Sequence, residues 1–124
     1  MRTLLSASAL AVAATLAACG STTVTDLKAT GMPTARYASA KTPMEFAICV
    51  IPIHDIQAMI GDPAQLRPTA TGIEILKTVD YTVLSIISVD SAGEGSTIIG
   101  LSTIGFPRLG ERLGNLESVI RQCA

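Results

Sequence analysis

Three cysteines and a single histidine are the side chains of this 124-residue chain that are best suited to chemistry. His54 is followed by Asp55, but adjacent residues of a helix point in different directions. A histidine–carboxylate pair would therefore need a partner from another segment, such as Asp62 or Asp80. A general base needs such a positioned partner, and one histidine is too few to build a metal cluster. The chain also lacks the Gly-x-Ser-x-Gly and Ser-x-x-Lys motifs of serine nucleophiles. We therefore expect His54 to be structural, and the protein to be neither an enzyme nor dependent on a cofactor or a metal.

Cys19 ends an apolar segment that begins close to the N-terminus. Met1-Arg2-Thr3 carries one basic side chain, and the stretch of about thirteen residues that follows is mostly Ala and Leu, an order typical of a secretory signal peptide. An apolar run of this length is too short to cross a bilayer as a helix, which takes about 20 residues. The sequence therefore predicts that residues 1–18 are a signal peptide.

The last four residues of that segment, Leu16-Ala17-Ala18-Cys19, resemble the lipobox of bacterial lipoproteins. The resemblance implies that the chain is cut before Cys19 and that Cys19 carries acyl chains such as palmitate. These chains would tether the protein to an extracytoplasmic membrane face, because each buried methylene contributes about 0.8 kcal/mol. Gly20 stands where inner-membrane lipoproteins of enteric bacteria carry Asp, so the resemblance implies the periplasmic side of the outer membrane in a Gram-negative cell. An ordinary secretory signal cut after Ala18, with Cys19 as a free thiol, is the alternative.

Cys49 and Cys123 are the two cysteines that remain once Cys19 is acylated. An even number of cysteines in an oxidising compartment favours a disulfide. A bond between them closes a loop of about 75 residues, which in the chain-entropy model stabilises a fold by roughly 4 kcal/mol. We expect this bond, and two buried free thiols are the alternative.

Charge and aromatic content narrow the range of partners. Arg2 is the only charged residue within residues 1–18, so the mature chain keeps eight of the nine Lys and Arg residues and all ten Asp and Glu residues, a formal net charge of −2. This near balance disfavours nucleic acid and an anionic membrane surface as main partners, because both reward clustered positive charge. An aromatic content of 3% likewise disfavours ligands that are bound by stacking.

The mature chain divides into a tether and one domain. Residues 19–41 are rich in Ser, Thr, Ala and Gly without apolar periodicity, and we interpret them as a flexible tether. Residues 42–124 form a small α+β domain. Thr42-Pro43-Met44-Glu45 is a capping box with Pro at the first helical position, so it starts a helix that directs Cys49 inward and stops or kinks near Pro52. Over residues 51–70 we expect a short helix and then a loop.

The centre of the domain is rich in Ile, Val, Thr and Leu, as strands are. Strands are predicted at residues 72–77, 81–90 and 96–103. Turns near Asp80 and at residues 91–95 make these strands a three-stranded antiparallel meander.

Pro107 opens a predicted C-terminal helix. Its apolar residues recur every three or four positions, so they form one stripe that packs on the sheet. The stripe consists of Leu109, Leu113, Leu116, Ile120 and Cys123. A capped helix, a meander and a terminal helix, with one cysteine in each helix, are similar to the arrangement in small proteobacterial lipoproteins of unassigned role.

The middle strand is apolar on both faces, whereas a half-exposed strand alternates more cleanly. If both helices pack on one face of the sheet, Leu84, Ile86 and one of Ile98 or Ile99 remain uncovered on the other, and such a patch usually marks an interface. Folding of residues 51–59 over the patch is the alternative.

These features favour a structural or protein-interaction module of the cell envelope, tethered to the membrane by its N-terminal lipid and docked on another envelope protein. A small inhibitor or ligand-binding lipoprotein of the periplasm that acts through residues 61–70 is the alternative function.

Overall fold

The computed structural model describes residues 23–57, 62–103 and 116–124. The predicted signal peptide, the lipobox and the acylated Cys19 lie outside the described residues. So do Pro107, Leu109 and Leu113 of the predicted C-terminal helix.

Within these ranges the chain forms three helices and a six-stranded antiparallel sheet, which confirms the α+β class. The strand order is β1-β6-β5-β4-β3, and β2 also pairs with β6. The elements are α1 (Val24–Thr30), β1 (Met32–Pro33), β2 (Tyr37–Ser39), α2 (Pro43–Gln57), β3 (Gln65–Pro68), β4 (Gly72–Val79), β5 (Thr82–Ala92), β6 (Gly95–Ser102) and α3 (Leu116–Cys123). The predicted meander is the centre of this sheet, β4 to β6, and three short strands extend it at its two edges.

The two hairpin turns of the meander fall where the sequence places them. Asp80 and Tyr81 join β4 to β5 with positive φ angles of 46° and 66°, and Gly93 has a φ of 60° in the turn from β5 to β6. Positive φ at both central residues gives a turn whose twist matches that of the paired strands. Asp adopts positive φ more readily than Tyr does. Tyr81 is 96% exposed, so packing of its side chain does not explain why it adopts this conformation.

Helices α2 and α3 pack on one face of the sheet, which we call the α2 face. Side chains alternate along a strand, so this face receives Ile75, Ile87 and Ile98 from the three central strands. Gly100 lies on the same face under α3, where an added Cβ would come within 2.7 Å of Leu116 Cδ2. The absence of a side chain at Gly100 therefore lets α3 approach the sheet closely.

Helix α1 covers the other face of the sheet, which we call the α1 face. Leu27 is 1% exposed and packs with Leu76, Val83 and Ile86. Thr23 and Asp26 form a reciprocal capping box that starts the helix. Residues 23–41, which the sequence predicted as tether, therefore contain a helix and two strands that belong to the folded domain.

The sheet also buries most of the predicted interface patch. Leu84, Ile86 and Ile98 are 4%, 0% and 0% exposed, and Ile99 is half-buried. Ile98 lies on the α2 face, and Ile86 lies under α1. The predicted exposed patch therefore does not form. Helix α1 covers Ile86, whereas residues 51–57, as part of α2, lie on the opposite face of the sheet.

Helix α2 continues through Pro52 to Gln57, so of the predicted stop or kink at this position the stop is wrong. A proline inside a helix removes one backbone hydrogen bond and costs about 3 kcal/mol. The turn that follows offsets this cost through contacts with the sheet, because His54 is buried and Asp55 pairs with Lys77.

Candidate functional site: the outer side of helix α2

Helix α2 is apolar on nearly all sides. Its inner side buries Phe46, Ala47, Val50 and His54 against the sheet and α3. A helix that is apolar all round is usually buried all round, in a protein core or in a membrane. The solvent side of α2 is therefore the most unusual surface of the described chain.

Four apolar residues on that side follow one another at intervals of four, and we call them the outer stripe. They are Met44, Ile48, Pro52 and Ile56. Met44, Ile48 and Ile56 are 48%, 69% and 82% exposed, and Pro52 is exposed as well. Residues four apart form one of the ridges that pack into the groove of a neighbouring helix. The outer stripe therefore has the form of a helix-packing ridge that no described part of the chain covers.

The predicted disulfide fixes α2 to α3. Cys49 and Cys123 are bonded, with their Cα atoms 5.8 Å apart. This spacing lies in the usual range for disulfides. The bond holds α2 in place on the side next to the outer stripe.

An ion pair fixes the C-terminal part of α2 to strand β4. Lys77 Nζ donates to Asp55 Oδ1 at 2.8 Å, and the backbone N–H of Ala64 donates to the same oxygen at 2.8 Å. The Lys77 side chain is only 2% exposed, and Asp55 supplies the opposite charge beside its buried ammonium group. Desolvation raises the pKa of Asp55, but the hydrogen bonds from Lys77 and Ala64 outweigh it and hold the pKa below its usual range.

His54 lies beside this ion pair and is 1% exposed. Its Nε2 is 3.5 Å from Ser85 Oγ, and its Nδ1 has no hydrogen-bond partner among the described residues. Desolvation and the charge of Lys77 lower the pKa of His54, against the smaller opposite effect of Asp55. The imidazole is therefore neutral near pH 7 and is buried together with Ser85. The structure gives His54 the partner Ser85 rather than Asp62 or Asp80.

A second charged group lies on the α1 face. Glu74 is 4% exposed and binds Lys28 of α1 and Arg67 of β3. Desolvation raises the pKa of Glu74, and the hydrogen bonds from Lys28 and Arg67 lower it further than that, so the pKa lies below its usual range. A shallow groove of about 330 Å³ lies beside Glu74. Because both oxygens of the carboxylate are engaged, this group links α1 and the edge strand β3 to strand β4.

The described residues contain no cluster of three or more His, Cys, Asp or Glu side chains that could hold a metal ion. In the same residues, no helix is both long enough and apolar enough to cross a bilayer. The segment at residues 61–70, which the sequence offered as a ligand-binding loop, contains the edge strand β3.

No protein-family profile, no curated protein and no solved structure matches this chain.

Sequence reasoning did not find the outer stripe, although its signal was present. The spacing of Met44, Ile48 and Ile56 is regular, but a break at Pro52 would have placed them in different elements. The buried Lys77 was missed as well, and its signal was its alternation with Ile73 and Ile75 on the inward side of β4.

Proposed function

We propose that this protein is a lipid-anchored lipoprotein of the cell envelope, and that its domain is a protein-interaction module that binds through the outer stripe. One observation carries the proposal: helix α2 presents its exposed apolar ridge to solvent while its other side is fixed in the core. An apolar surface on a rigid support usually marks an interaction site.

Two features support the location. The N-terminal segment ends in Leu16-Ala17-Ala18-Cys19, which resembles a lipobox. The Cys49–Cys123 disulfide fits an oxidising compartment, where such bonds form and persist. Together they favour an extracytoplasmic membrane face, and Gly20 in place of Asp after Cys19 favours the outer membrane in a Gram-negative cell.

The form of the outer stripe favours an apolar helix of another envelope protein as the partner. From Met44 to Ile56 the stripe is roughly 18 Å long at 1.5 Å per residue, the length of about three helical turns. None of its four residues carries a charge, so the partner surface must be apolar where the two helices cross. A partner helix of about 12 residues would cover the stripe.

Site-specific photo-crosslinking in cells tests this function. A photoreactive amino acid at Ile48 or at Ile56 is expected to give one discrete crosslinked product, with the attachment point in an apolar helix of the partner. Met32 is the matched control, because it is 61% exposed but lies on strand β1, away from α2. Ile48→Glu should abolish the product formed through position 56 without unfolding the domain.

Equal products from position 32 and from the two stripe positions would contradict a specific site. A product that contains only a second copy of this chain would replace the envelope partner with self-association, and analytical ultracentrifugation of the purified domain would show the same.

A further inference from the structure

The covalent distance between the proposed anchor and the folded domain is very short. Only residues 20–22 separate Cys19 from Thr23, whose side chain caps helix α1. Four residue steps span at most about 14 Å, even when fully extended. A domain attached in this way cannot stand far from the bilayer that holds its lipid.

Helix α1 is itself firmly attached to the sheet. Leu27 is buried against Leu76 and Ile86, and Lys28 binds Glu74. The C-terminal end of α1 continues at once into β1, which pairs with β6. The attachment point therefore belongs to the rigid domain, on its α1 face.

The outer stripe lies on the opposite side of the molecule. Leu76 and Ile86 face α1, whereas their neighbours Ile75 and Ile87 face α2, because side chains alternate across a strand. Each packed layer adds about 10 Å, so the axes of the two helices are roughly 20 Å apart, with the sheet between them.

The outward side of α1 suits a lipid headgroup surface. Its exposed side chains are small, polar or charged: Thr25, Asp26, Lys28, Ala29 and Thr30. This surface has no large apolar side chain that would insert among acyl chains, so contact with the bilayer would be shallow.

We propose that the anchored domain rests with helix α1 against the bilayer surface and with the outer stripe directed away from it, so that the stripe meets its partner from the aqueous side. This inference rests on the proposed acylation of Cys19. The short linker then gives the domain one preferred orientation on the bilayer, whereas a long tether would let it rotate freely.

Electron paramagnetic resonance on the full lipidated protein in liposomes tests the orientation. A spin label is attached through a non-natural amino acid, so that the disulfide stays intact, at Ala29 on α1 or at Ile48 on α2. Both positions are exposed, so neither label disturbs the core. With a nickel chelate on the lipid headgroups, the relaxation rate at position 29 is expected to rise several-fold more than at position 48. A soluble nickel complex should give the reverse order.

A variant with a long Gly-Ser insertion between Gly20 and Thr23 is the matched control, and it should remove the difference between the two labels. Equal relaxation at both positions with the natural spacing, as in a domain that stands on its edge, would overturn the orientation while leaving the anchor intact. A mass spectrum without acyl mass on Cys19 would overturn the anchor and, with it, this inference.

Discussion

Lys77 is a buried lysine that needs an opposite charge beside it. Its ammonium group is buried, and Asp55 supplies the opposite charge across the gap between β4 and α2. Breaking a buried pair from one side leaves an uncompensated charge, whereas replacing the buried partner with an apolar side chain of similar size removes the need for compensation.

We therefore expect Asp55→Ala to lower the free energy of unfolding by about 3 kcal/mol, the low end for a buried pair because the Asp55 side chain is 30% exposed, and Lys77→Met to lower it by less. Urea denaturation of both single variants and of the double variant measures this. The double variant should recover part of the loss caused by Asp55→Ala. The opposite order of the two single variants would show that Lys77 is stabilising for a reason other than its charge.

His54 makes the stability of the domain depend on pH. Its folded pKa lies below the ordinary value of about 6.5, so on acidification the unfolded chain takes up a proton before the folded one does. Stability from this residue is therefore complete above about pH 6.5 and is lost as the pH falls towards the folded pKa. Asp55 and Glu74, whose folded pKa values are also lowered, add their losses only in more acidic solution.

The expected result is a fall in the free energy of unfolding as the pH drops below about 6.5, a fall that is absent in His54→Gln. Denaturation curves at a series of pH values for the two proteins check it. A fall of the same size in both would assign the effect to other groups.

Among the elements, helix α1 is the one that the sequence predicted as tether and that the structure packs on the sheet through Leu27. Its contribution to stability tests whether it is an integral part of the fold. Leu27→Ala should lower the free energy of unfolding by about 2 to 4 kcal/mol, because it opens a cavity among buried residues of the α1 face. Thr25→Ala on the exposed side of the same helix is the control and should change little. Circular dichroism during thermal unfolding measures the stability of both variants. If Leu27→Ala is as stable as the natural protein, residues 23–30 act as a tether and not as part of the folded domain.

The elements differ in how far the sequence foretells them, and the reason is the range of the interactions that stabilise each one. Strands β4 to β6 carry β-branched residues and are joined by short turns, so local patterns suffice to locate them. The start of α2 is equally local, since Thr42 caps it and Pro43 follows. Helix α1 buries one residue, Leu27, in seven, which gives no visible period. Strand β2 exists because Tyr37 lies opposite Ile98, far along the chain.

The candidate site follows the same rule. The disulfide could be predicted from the compartment and the number of cysteines. The outer stripe could not, because its exposure depends on the fact that α2 continues through Pro52 and that no described segment packs over it.

At the scale of the whole molecule, the Cys49–Cys123 bond joins the two helices of the α2 face across a separation of 74 residues. Losing a native disulfide in a small domain typically costs 2 to 5 kcal/mol. We expect the double variant Cys49→Ala/Cys123→Ala to have a free energy of unfolding lower by about 2 to 5 kcal/mol, and therefore a lower urea midpoint. Reduction of the natural protein should have the same effect, and an unchanged midpoint in both cases would show that packing alone maintains the helix pair.

The same bond determines how the molecule bears tension. If the proposed lipid anchor holds the N-terminus and the proposed partner holds helix α2, the domain is under load whenever the two move apart. The chain from Cys49 to Cys123 is a covalently closed ring, so a force that enters from the N-terminal side cannot draw it out. The load falls on residues 23–48, which the packing of α1 and the pairing of β1 and β2 with β6 attach to the sheet. The meander of β4 to β6 lies within the segment closed by the disulfide. We therefore expect it to stay folded while residues 23–48 detach from the sheet.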